Sequence, residues 1–171
     1  MEGFNPSDDG VILAQSYRLL NGEIPHKDFI AIRPVFSGIV HSVSFFSPLP
    51  LIESSRWMVL VENMITAIFF SLILNLVYYS RNLSEKILLF LPVTLLTFLL
   101  NINIYTIYPW TTIDAIMFSI AGLYFYLKNF IGNQKFSFVR LSVGLLLFSI
   151  SSLCRQTFAL LFLIAVIYII Y

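Results

Sequence analysis

Residues Trp57–Tyr79 read WMVLVENMITAIFFSLILNLVYY. At ~1.5 Å per residue, a helix of this length crosses the ~30 Å hydrocarbon core of a bilayer with some tilt. Glu62 is its only charged residue. Four more apolar runs follow, at about Ile87–Leu100, Ile113–Leu127, Leu141–Leu153 and from Phe158 onward. The last three are shorter than the ~20 residues of a full crossing. They are read either as completed by flanking polar residues or as partial helices lining a cavity inside protein. The pattern predicts an all-α fold: a polytopic transmembrane helix bundle over residues 57–171, with an extracytoplasmic loop of interfacial helices over residues 1–56.

Composition supports that class. The chain is 58% hydrophobic and only 11% charged, where a soluble domain carries ~25% charged residues. Mean hydropathy is +0.87. A net charge of +1 gives no electrostatic case for nucleic acid. The single cysteine, Cys154, excludes an internal disulfide and a metal–thiolate cluster. Met1 precedes polar sequence, without the basic and apolar regions of a signal peptide. The sequence stops at Tyr171 inside an apolar run, which reads as a fragment of a longer polytopic protein.

The long polar-rich stretch is Asn5–Pro34, NPSDDGVILAQSYRLLNGEIPHKDFIAIRP. Ser7 is placed to cap a helix with Asp8 and Asp9 in its first turn, where acids suit the helix dipole. The helix is expected to stop at Asn21-Gly22. Ile12, Leu13, Tyr17, Leu19 and Leu20 share one face, with Gln15 and Arg18 opposite, the pattern of a helix lying in the membrane interface. A polar turn containing Pro25 follows, then a short, partly inserted helix after Pro34 and a loop at Ser47–Pro50. Arg81, Lys86, Lys128, Lys135 and Arg140 mark the loops after the first and third runs, while Asn101–Thr112 has no Lys or Arg. The positive-inside rule puts the basic loops in the cytoplasm. Alternation then places Asn5–Arg56 and Asn101–Thr112 outside together, although Arg18, Lys27, Arg33 and Arg56 oppose the rule.

Several residues could carry chemistry. Asp8 or Asp9 could serve as a general base that takes a proton from an acceptor hydroxyl, or simply start a helix. Arg33, before Pro34, could bind a lipid phosphate bidentately or meet ordinary phospholipid headgroups. Asp114 could be a second acid of the site or a first-turn acid behind a Thr112 cap. Arg155 separates two apolar runs; a basic residue there faces a cavity or an anionic partner, or snorkels to the interface. Glu62 could pair with Arg56 or reach the surface. His26 and His41 are isolated in sequence, without metal-ligand spacing, and neither is assigned to a metal. Asn82-Leu83-Ser84 matches a glycosylation acceptor but falls in a loop read as cytoplasmic.

The run Ser7-Asp8-Asp9-Gly10, then Tyr17 through Phe29, then Arg33-Pro34 resembles the first outer loop of GT-C membrane glycosyltransferases. More narrowly it is similar to glycosyltransferase family 39 and its protein mannosyltransferase-like and lipid A aminoarabinose transferase-like relatives. Ser55-Arg56 before a span, Asp114 opening a helix, and Ser152-Leu153-Cys154-Arg155-Gln156 fit the same order. The resemblance implies inverting transfer of a sugar from a polyprenyl-phosphate donor to a hydroxyl acceptor at the outer face of a multi-pass cell-membrane protein. It implies Asp8, with its neighbour Asp9, as the catalytic acid position, and Arg33 near the donor phosphate. Asp114 and Arg155 are the further candidates for binding substrate. His26 stands where the family prefers Tyr. Ile32 stands where some relatives have a metal-binding Glu, so no metal ligand is assigned, and a divalent metal stays open as a cofactor. The class that competes is a transporter or flippase component, whose acids and Arg155 would line a polar path; an inactive partial gene product is a third.

Overall fold

The computed structural model describes residues 9–78, 83–105, 107–131 and 136–170. These residues form seven α-helices: α1 (Asp9–Leu20), α2 (Val35–His41), α3 (Leu51–Val77), α4 (Leu83–Ile104), α5 (Thr111–Leu127), α6 (Phe138–Cys154) and α7 (Ala159–Ile170). Short 3-10 turns extend α2 over Ser42–Phe46 and precede α7 over Gln156–Phe158. Among the described residues there is no strand, only an isolated bridge between Pro25 and Phe29. Each apolar run of the sequence falls mostly within one helix, and α3 starts at Leu51, inside the 1–56 stretch read as an outer loop. Pro34 and Pro50 stand at the N-caps of α2 and α3, where the missing N–H costs no helical bond. Two helices, Leu51–Val77 and Ser84–Ile104, are long and apolar enough to cross a membrane; those over 111–127, 138–154 and 156–169 are shorter.

α1 ends as its sequence dictates. Gly22 takes φ +78°, a left-handed conformation that glycine adopts without steric cost. The Glu23 amide then reaches the Arg18 carbonyl at 3.1 Å and the Gly22 amide reaches that of Leu19 at 3.0 Å, a Schellman cap. Arg18 staples the following turn. Its Nε meets Glu23 Oε2 at 2.5 Å, its Nη2 donates to the Asp28 carbonyl at 3.2 Å, and its guanidinium lies 4.6 Å from the Phe29 ring centre.

The buried face of α1 differs from the predicted one. Gln15 is 5% exposed and Tyr17 58% exposed, so the glutamine faces inward and the tyrosine outward. Gly38 on α2 is the cause: its bare Cα lets the two helices approach until a Cβ there would sit 3.2 Å from Gln15 and Leu19 atoms. Gln15 then donates to the Arg33 carbonyl at 3.2 Å, and the Ser16 hydroxyl to that of Gly38 at 2.7 Å. Those bonds offset the burial of polar groups.

Three buried polar residues of α3 donate within the helix. Asn63 donates to the Val59 carbonyl, Thr66 to Glu62 and Ser71 to Ala67, at 2.9–3.0 Å. Such i−4 bonds let Asn, Thr and Ser sit in an apolar helix at little cost. α3 packs on α4 and α5, and α5 on α6. A Cβ on Gly122 would lie 3.0 Å from the Gly144 carbonyl, so the α5 and α6 backbones nearly touch. Ser119 and Ser151 hydroxyls meet across that seam at 2.6 Å, and Ser151 also donates to the Ala115 carbonyl at 2.8 Å. Small residues with hydroxyls between them are the usual seam of helices packed in lipid. Farther along, Tyr126, Leu141, Phe148 and Ala165 make the apolar core, and the Tyr126 hydroxyl donates to the Ala165 carbonyl of α7 at 3.0 Å.

Candidate functional site

α2 lies against α5 and α6, which brings the C-terminal end of α2 to the first turn of α5. There His41 Nε2 meets Asp114 Oδ1 at 3.2 Å. Glu62, on α3, puts Oε1 3.9 Å from the same nitrogen. One ligating atom from each of the three residues lies within 4.8 Å of the others. His41 and Asp114 are 0% exposed and Glu62 is 2% exposed. Both Glu62 oxygens, Asp114 Oδ2 and His41 Nδ1 are buried without a hydrogen-bond partner. Buried polar atoms are nearly always satisfied in native proteins, so four such atoms set this cluster apart from the rest of the core. Two carboxylates this close, with one imidazole, need a proton or a cation to balance them in a dry setting. Wholly buried Ser37 and Cys154 also lie beside each other near Asp114.

The structure corrects two of the alternatives raised for these residues. Asp114 is a first-turn acid of α5, as one alternative had it, but Thr112 does not cap the helix. Trp110 is the N-cap residue of α5, with no side-chain cap bond, and the Asp114 carboxylate faces His41. Glu62 does not reach the surface; it turns inward to the same imidazole. Sequence spacing missed the cluster because its members stand on α2, α3 and α5. One signal was available: an acid inside a long apolar run needs a partner, and a histidine on the same side of the bundle is one.

Arg155 follows α6 with an extended backbone at φ −151° and ψ 118°, the break expected from Ser152–Gln156. Its guanidinium donates to the Thr112 hydroxyl in the first turn of α5. Arg155 thus holds the segment that carries Asp114. Arg33 precedes α2 at the end away from His41, and its carbonyl accepts from Gln15. Asp8 and the expected Ser7 cap lie outside the described residues, and Asp9 is the first residue of α1. The structure therefore brings Asp114 to the N-terminal segment, and Arg155 to the turn that carries Asp114.

A separate cleft of about 520 Å³ opens between α1, the turn after α2 and the head of α3. It is lined by Gly10, Leu13, Tyr17, Phe45, Leu51 and Ile52 among others. Tyr17 and Phe45 rings lean together across it, centres 6.1 Å apart.

The fold and the buried cluster define an all-helical protein with two helices long and apolar enough to span a membrane and an ionisable site between its helices. No protein-family model, curated protein or solved structure matches the chain.

Proposed function

We propose that the protein is a membrane glycosyltransferase that moves a sugar from a polyprenyl-phosphate donor to a hydroxyl acceptor at the outer face of the membrane. The observation that carries this reading is the apolar cleft, which begins at Gly10, the residue after the paired acids, and runs to the head of α3. An isoprenoid chain is a ligand for a carbon-lined cleft of that kind, and binding there would bring its phosphate to the polar residues of the N-terminal segment. The resemblance of Asp8-Asp9 and Arg33-Pro34 to the GT-C first outer loop supplies the rest.

In the proposed reaction the acceptor hydroxyl gives its proton to the Asp8 carboxylate as its oxygen bonds to the anomeric carbon. The bond from that carbon to the phosphate oxygen breaks on the opposite face, so the configuration inverts. The Arg33 guanidinium stabilises the polyprenyl phosphate that leaves. Arg155 acts through Thr112 as a positioning residue for α5.

A multi-pass membrane setting is part of this proposal. α4 supports it, with Leu88, Leu91, Leu95, Leu96 and Ile104 all largely exposed. An apolar surface of that extent is stable in lipid or against a partner and a liability in water.

A transporter component is the alternative, favoured by the buried ionisable groups at His41, Glu62 and Asp114. Proteoliposomes with a labelled polyprenyl-phosphate sugar separate the two. Asp8→Asn is expected to abolish transfer to an acceptor while leaving donor binding within about twofold, as for loss of a transition-state interaction only. Intact transfer in that variant, with altered movement of the donor across the bilayer, would overturn the transferase reading.

A further inference from the structure

We infer that His41, Glu62 and Asp114 form a binding site for one divalent first-row transition ion of the zinc type. Each residue comes from a different helix, so the site exists only in the folded protein. In a tetrahedral site with metal–ligand bonds of ~2.0–2.1 Å, ligand atoms stand ~3.3 Å apart. Here the imidazole nitrogen is 3.2 Å from Asp114 Oδ1 and 3.9 Å from Glu62 Oε1, and all three donors lie within 4.8 Å. A small inward movement of Glu62 would complete the set.

Charge and satisfaction point the same way. Two carboxylates, a neutral imidazole and a divalent ion sum to zero, the arrangement a buried ionic cluster favours. A protonated imidazole would leave the three groups with one net negative charge. The ion would also bond the Glu62 carboxylate, whose only near charge partner among the described residues is His41 at 3.9 Å and whose two oxygens are buried without a hydrogen bond. Imidazole selects zinc-type ions over magnesium and calcium, which prefer all-oxygen sites. Three protein ligands leave the fourth position of a tetrahedral ion open.

This site stands independently of the transferase proposal, because metal content is measured without activity. The full chain, purified in detergent and stripped by a chelator, is dialysed against ZnCl₂ or MgCl₂, and bound metal is counted by mass spectrometry. About one zinc and no magnesium per chain is expected, as for a single N/O site. Zinc is also expected to raise the thermal midpoint. Glu62→Gln and His41→Gln should each weaken zinc binding at least ~10-fold, the loss that even an outer-shell change brings. Glu62→Gln keeps the side-chain shape and removes one charge from the crowded cluster, so its helix content by circular dichroism should match that of the unsubstituted chain. A folded Glu62→Gln chain with unchanged zinc affinity would overturn the inference. So would an unsubstituted chain that binds no zinc, which would leave a shared proton as the balance for the two acids.

Discussion

α4 and the α5–α6 pair are built from equally greasy sequence and do opposite things with it. α4 turns large side chains outward, leaving Leu88, Leu91 and Leu95 mostly exposed, and packs its other face on α3, where Thr94 donates to the Ser71 hydroxyl at 2.8 Å. α5 and α6 turn glycine, alanine and serine toward each other and bring their backbones into contact at Gly122 and Gly144. Hydropathy does not tell these apart. Residue size does, because only a face without side-chain bulk permits an approach that close, and the hydroxyls of Ser119 and Ser151 then bond across it.

The sharpest way to break this comparison is to add bulk to the seam. Gly122→Leu places atoms where a Cβ already meets the Gly144 carbonyl at 3.0 Å and Phe148 at 3.0 Å. Backbone cannot yield as a flexible side chain can, so the cost is expected at or beyond the upper end of the ~1–3 kcal/mol typical of overpacking. Denaturant unfolding in detergent, followed by circular dichroism, reads it. A change within ~0.5 kcal/mol would show that the helices do not meet there. On α4, Leu95→Ala removes a side chain that touches little of the protein, and the same measurement is expected to move by less than ~0.5 kcal/mol. A loss of ~2 kcal/mol or more, as for a buried leucine, would mean that this face of α4 is packed against protein.

Much of the fold was legible in the sequence. The helices over the apolar runs were expected, and the stops and starts at Asn21-Gly22, Pro34, Pro50 and Arg155 act locally on the backbone, but α3 and α4 begin at Leu51 and Leu83, ahead of the expected Trp57 and Ile87. The inward turn of Gln15 was not legible, because it depends on Gly38 of a different helix. The cluster of His41, Glu62 and Asp114 was hidden for the same reason: helices far apart in the chain bring the three together, and no spacing rule connects them. Asp114 was singled out as a candidate, yet its partner was not, since a lone histidine gives no pattern until the fold supplies one.

The central claim is that the polar N-terminal segment docks on the bundle so that His41 and Asp114 share one dry site. A double-mutant cycle on stability, with His41→Gln, Asp114→Asn and both together in metal-stripped protein, tests it most directly. Residues in contact within a buried network couple by ~0.5–3 kcal/mol, and a contact of 3.2 Å with both partners fully buried should fall in the upper part of that range. Strictly additive effects of the two substitutions would contradict the docking of α2 on α5.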